Sequence, residues 1–182
     1  MYETHNDLPL KTREQMIELL NARLADAVDL RTRIKTAHWN LKGWSFIGLH
    51  ELCDDIAKAV DDYADLIGER TAQLGGISRG TAGEVATRTS LSEFSYPSEE
   101  EQKGYVEVLA KSLSCFARST RAAIDVAANA GDQVTSDIFI GISRGVDKWL
   151  WFIEAHEQGR GAEAAERAIP RVGKAEELPL QH

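Results

Sequence analysis

Proline is scarce in this chain: four occur in 182 residues, at Pro9, Pro97, Pro170 and Pro179. Two long stretches therefore contain no residue that lacks an amide hydrogen, and no breaker of that kind interrupts a helix within them. Cysteine is scarcer still. Cys53 and Cys115 are the only two, and both fall inside helical patterns. That excludes a disulfide framework, and they read as buried, inert thiols in a reducing compartment. No run approaches the ~18 consecutive apolar residues of a membrane-spanning helix. The N-terminal stretch MYETHNDLPLKTREQ lacks the apolar core of a secretion signal, so the expected location is the cytoplasm. Positive charge is in deficit: 21 basic residues against 29 acidic ones give −8. That balance argues against indiscriminate attraction to nucleic acid and suits a surface that gathers cations. What remains, 43% hydrophobic and 27% charged residues, is the mix of one soluble globular domain long enough to bury a core unaided.

Four segments show the apolar recurrence of amphipathic helices. The first, from about Lys11 to Leu41, repeats Leu20, Leu24, Ala27, Leu30, Ile34, Ala37 and Leu41, and Gly43 ends it. The second, from near Ser45 to about Leu74, carries Phe46, Leu49, Cys53, Ile56, Val60, Ala64 and Ile67, and Gly75-Gly76 stops it. At ~1.5 Å per residue each spans ~40 Å. Residues 75–100 break the periodicity. A connection of that length inside a compact domain has a reason, such as crossing the bundle end to end so that helices two and three run parallel. Ser98 and Glu101 make a capping box that opens the third helix. Along it Val106, Leu109, Leu113, Phe116, Ala117, Thr120 and Ile124 recur until Asn129-Ala130-Gly131 closes it. The fourth runs from about Gln133 to His156, with Val134, Ile138, Ile142, Val146, Trp149, Leu150 and Ile153 on its apolar face. The chain thus divides into an N-terminal extension (1–10), a bundle (11–158) and a tail (159–182) whose composition suits a surface-draped segment. An all-α chain of four long helices, with one long crossover between helices two and three, is the ferritin-like arrangement.

The chemistry is concentrated in AHWNLKGWSFIGLHELCDDIAKAVDDYADLIGERTAQLGG, residues 37–76. His38 lies near the end of helix one and His50 about one turn into helix two. His50/Asp54 and Asp65/Glu69 are i,i+4 pairs, each presenting two ligand atoms on one helix face. Asp54, Asp61 and Asp65 also lie close to one stripe. Imidazole with carboxylate suits iron and zinc alike; an acidic stripe is equally the pattern of a solvated face. One absence narrows the choice. None of the five histidines (His5, His38, His50, His156, His182) follows a glutamate by three positions, so a di-iron site buried within one bundle is not supported. If His38, His50 and Asp54 bind metal, the remaining ligands come from elsewhere, and helix two of a twofold-related subunit is a natural source.

The run AHWN, the second histidine twelve positions after the first, the aspartate four later and then DLIGERTAQLGG together spell His-x11-His-x3-Asp-x10-Asp-x3-Glu. With DKWLWFIEAH near residue 150, the sequence closely resembles the Dps family of miniferritins over about residues 10–158. The resemblance implies a hollow homododecamer with ferroxidase centres across its twofold interfaces. His38, His50 and Asp54 then come from one subunit, and Asp65 and Glu69 from its twofold mate. It implies two irons per site, with zinc a further candidate, hydrogen peroxide or oxygen as oxidant, and ferric mineral stored within, protecting against oxidative damage. By the same resemblance Trp39 packs beside the centre or gives up an electron, and Lys35 orients water there. Asp137, with Asp132 near it, lines an iron-admitting threefold pore. Anionic ligands favour ferric over ferrous iron, and two paired irons let peroxide take two electrons at once without releasing a hydroxyl radical.

A second function is a DNA-compacting, nucleoid-associated protein in which the iron chemistry is secondary. Members of the family that condense DNA do so through lysine-rich termini. Here residues 1–13 hold Glu3, Asp7, Lys11 and Arg13, which cancel. From Gly159 on, Arg160, Arg167, Arg171 and Lys174 are offset by Glu163, Glu166, Glu176 and Glu177. Neutral ends on an acidic body predict DNA binding that is weak or absent at ordinary salt.

Overall fold

The computed structural model of the chain describes residues 1–97 and 102–158; the Ser98–Glu101 capping box and the tail at 159–182 lie outside the described residues. Five helices form: α1 (Leu10–Asn40), α2 (Phe46–Gln73), α3 (Ala82–Arg88), α4 (Gln102–Asn129) and α5 (Gln133–Gln158). Among the described residues there is no strand, and no helix is long and apolar enough to cross a membrane. The four long helices are those the periodicity predicts. α1 lies along α2 and α4 along α5, and the two pairs meet mainly through α1 and α4. Every position of the α1 stripe is buried, and so are Leu49, Cys53, Ile56, Val60 and Ile67 on α2. The stripe outruns the core at two helix starts, where Phe46 and Val134 are exposed, while Phe139, outside the expected face of α5, is fully buried. Burial first, and the neighbouring Asp54 charge second, push the Cys53 thiol up to about 12, so it is inert as expected; Cys115 is only half-buried.

The crossover departs from expectation in holding α3, a helix too short to produce a periodic signal. Glu84 and Arg88, one turn apart, pair at 2.8 Å, and Val85 is buried beneath them. Polar side chains of α1 guide the crossover along that helix. The buried Asn21 amide donates to Ile77 O at 3.1 Å, and its oxygen accepts from Arg79 N at 2.8 Å. Asp26, fully buried, accepts from Ser90 N at 2.6 Å, from Ser90 Oγ at 3.0 Å and from Ser119 Oγ on α4 at 3.2 Å, and pairs with Arg23 at 3.0 Å. Thr89 donates to Asp29 at 2.8 Å, and Arg33 sits over the Phe94 ring. The path ends where Ser45 N, just before α2, donates to Gln102 Oε1 at the start of α4. α4 therefore begins at the end where α2 begins, and the two run parallel.

Helix ends at the opposite pole are closed by backbone. Gly75, at φ +86°, and Gly76 return N–H bonds to Ala72 O and Thr71 O; Gly131, at φ +83°, and Asp132 do the same to Ala128 O and Ala127 O. Both are Schellman closures that need a left-handed residue. The N-terminus is fastened to the first of them: Tyr2 N donates to Gly75 O at 2.9 Å and the Tyr2 hydroxyl to Ala72 O. Asp132 then opens α5, accepting from Thr135 N at 3.0 Å, while its carboxylate receives the buried Arg70 guanidinium at 2.8 Å. Arg70 Nε adds a bond to Thr135 Oγ1 at 3.0 Å. Gly145 stands mid-helix in α5, where glycine costs about 1 kcal/mol relative to alanine. Its missing Cβ makes room for the Tyr63 hydroxyl of α2, which would overlap any side chain there.

Removing one partner of the Arg70–Asp132 pair strands a buried charge. Asp132→Ala should therefore destabilise the subunit by about 3–5 kcal/mol. Arg70→Met combined with Asp132→Ser, which keeps a capping oxygen and removes both charges, should cost far less. Urea unfolding at one fixed protein concentration compares them; equal losses in the two proteins would show that the ion pair does not control this joint.

Candidate metal centre

The end of α1 and the start of α2 bring His38, His50 and Asp54 together. One ligand atom from each lies within 4.8 Å of the others. His38 is in the last turn of α1, whose final carbonyls have no partner inside the helix. His38 O is one of these, and it accepts from His50 Nδ1 at 3.1 Å. His38 Nδ1 returns a bond to His50 O at 3.0 Å. The rings stack with centroids 3.6 Å apart, and Phe46 lies 4.9 Å from the His50 ring. Each imidazole thus carries its proton on Nδ1, leaving the Nε2 lone pair as the metal donor in both. Such a bond from the second nitrogen to a carbonyl fixes ring orientation and tautomer.

Asp54 supplies the anion. Lys35, one turn before His38, reaches Asp54 Oδ1 at 2.6 Å, and His38 Nδ1 lies 3.4 Å from the same oxygen. The hydrogen bond from Lys35 is the chief reason the Asp54 carboxyl is held below its ordinary range; desolvation opposes it, and the Lys35 charge adds to the lowering. The carboxylate is therefore ionised and available to a cation. Two imidazoles and one carboxylate suit iron or zinc, and the set is too small to complete a coordination shell.

Asp65 and Glu69 do not join this group. Both are exposed on α2, and Asp65 lies ~16 Å of helix rise beyond Asp54. Asp61, on the acidic stripe, is paired with Arg31 at 3.0 Å. Trp39 is not a core aromatic of the subunit: it is 69% exposed, and Trp44 (64%) and Ile47 (62%) are exposed beside the same helix junction. Asp137 is exposed, whereas Asp132 is buried and committed to Arg70 and the α5 cap, which removes it as a pore residue. The exchange of bonds between the two histidines could not be found in the sequence, because it depends on how α1 ends. Lys35 carried a signal, since i,i+3 spacing sets it on the side of α1 that bears His38.

Residues 17–159 match the ferritin-like domain family. The chain is 41% identical over 158 residues to the DNA protection during starvation protein of Agrobacterium fabrum, covering 86% of this chain and 96% of that one. It is 31% identical over 142 residues to DNA protection during starvation protein 2 of Bacillus anthracis, covering 78% and 96%. The tetragonal form of Mycobacterium smegmatis Dps superposes with a TM-score of 0.80 at 29% identity, over 86% of this chain and 93% of that one. The four long helices, the crossover and the histidine–aspartate cluster are thus features of a protein that belongs to the ferritin-like family and, within it, to the Dps proteins.

Proposed function

We propose that this chain is a cytoplasmic ferroxidase and iron store, assembled as a homododecamer whose oxidation sites are shared between twofold-related subunits. The observation that carries the reading is a ligand set split along one helix. His38, His50 and Asp54 gather into an incomplete shell, while Asp65 and Glu69 are exposed further along α2. An antiparallel copy of α2 across a twofold axis sets one pair opposite the other. The exposed Trp39, Trp44 and Ile47 beside the cluster are surface that a second copy would cover. Iron is the substrate. Ferrous ions bind the neutral imidazole nitrogens and the carboxylates, and the anionic ligands favour the ferric product. Two ferrous ions each give one electron to one peroxide, whose O–O bond breaks without a free radical. Hydrolysis of ferric iron releases protons and deposits mineral in the shell. Zinc competes for the same donors, and oxygen is the alternative oxidant.

His38→Ala together with His50→Ala should slow peroxide-driven ferrous oxidation by at least the roughly 10–100-fold that loss of an outer partner alone costs at a metal site. The variant should still form particles of the wild-type size by light scattering. Subunit mixing tests the sharing itself. Co-assembly of His50→Ala chains with Glu69→Ala chains should rebuild about a quarter of the sites, since half of random twofold pairs are mixed and each holds one intact set. Verified mixed shells no more active than either parent would exclude a shared site.

DNA compaction is the second reading, and the structure offers it little. Tyr2 is bonded to the end of α2, so this segment is held against the bundle, and the chain carries −8. The protein should not retard linear duplex DNA in a gel at neutral pH and physiological salt. A tight complex that survives added salt would reverse this and point to a basic patch on the assembled surface.

A further inference from the structure

Of the two cysteines, Cys53 is fully buried, whereas Cys115 is half-buried and lines an open groove of about 480 Å³ between the crossover, α4 and α5. One face of α4 forms most of its floor. Ser114 and Cys115 each stand one helical turn from Lys111 on one side and from Arg118 on the other. Ser92 of the crossover and Glu154 of α5 complete the rim. The thiol has a fixed direction, since Cys115 Sγ lies 3.9 Å from its acceptor, Ser90 O. The charges beside it are exposed and uncommitted. Elsewhere on α4, Lys103 pairs with Glu107 and Arg121 with Asp147. Among the described residues, Lys111, Arg118 and Glu154 have no ion-pair partner.

A groove that holds one nucleophile, two cations, one anion and two hydroxyls describes its ligand by complement. The ligand offers an electrophilic sulfur to Cys115, carboxylates to Lys111 and Arg118, an ammonium to Glu154, and amides to Ser92 and Ser114. Disulfides of short peptides carry this set of groups. We propose that the groove takes an anionic, low-molecular-weight disulfide of the peptide-thiol class and that Cys115 is the residue it modifies. Cys115 Sγ attacks one sulfur of the disulfide. The Sγ–S bond forms as the S–S bond breaks, and the departing thiolate takes up the proton that the Cys115 thiol gives up. One protein thiol and one disulfide become one mixed disulfide and one free thiol, so the disulfide is itself the oxidant and no other is required. The open side of the groove lets the released thiol leave.

The test needs no iron, so it stands or falls apart from the iron-oxidising reading. Assembled, full-length, metal-free protein is incubated with oxidised glutathione, an anionic peptide disulfide, or with cystamine, a cationic one, and adducts are timed and mapped by mass spectrometry. The wild type should gain one glutathione per chain, on Cys115, which dithiothreitol removes; Cys115→Ser should gain none. Lys111→Gln combined with Arg118→Gln should lower the ratio of the glutathione rate to the cystamine rate by at least about threefold. Lys103→Gln combined with Arg121→Gln makes the same change of net charge on the same helix and should leave that ratio as it is. Added salt should lower the ratio in the wild type. The absence of a Cys115 adduct in the assembled protein overturns the proposal. So does a ratio unchanged by the Lys111 and Arg118 substitutions, which would make Cys115 an exposed thiol without a binding site.

Discussion

The carboxyl group of Asp26 has no access to solvent, and the architecture turns on how its two oxygens are satisfied. Its partners come from three places: Arg23 on its own helix, Ser90 in the crossover and Ser119 on α4. A polar group in the interior is tolerated only when it is hydrogen-bonded. The crossover must therefore lie along α1 at this level, and α4 must approach from its other side. With the strand of chain fixed there, α4 starts beside Ser45 and runs parallel to α2. The hairpins α1–α2 and α4–α5 can then close one core between them.

The long helices were legible because burial imposes a period, and the buried positions of α1 are the residues spaced at three and four in the sequence. α3 was not legible. A helix of this length makes about two turns, and its stability comes from Val85 packing and the Glu84–Arg88 pair rather than from any repeated pattern. Phe46 and Val134 misled for a related reason: the sequence period continues past the point where neighbouring helices supply a wall.

The candidate site was legible as residue types and spacings, and less so as geometry. The twelve-residue interval between His38 and His50 spans a helix end, a short turn and a helix start, and only the folded path shows that each ring bonds the other's carbonyl. The ends of α1 and α2 and the orientation of two metal donors are consequently one structural fact. Asp132 shows the reverse case. An acidic residue near a helix start reads as a surface charge until the buried Arg70 opposite it is known.

The notch at Gly145 has a consequence for how this chain can change over generations. Because any Cβ at that position would overlap the Tyr63 hydroxyl, position 145 is not free to vary alone. A side chain can enter at 145 only after 63 has become smaller, whereas 63 can shrink at once and leave a void. Mutational paths through this pair therefore have a direction, and descendants of this sequence should show the two positions changing in that order.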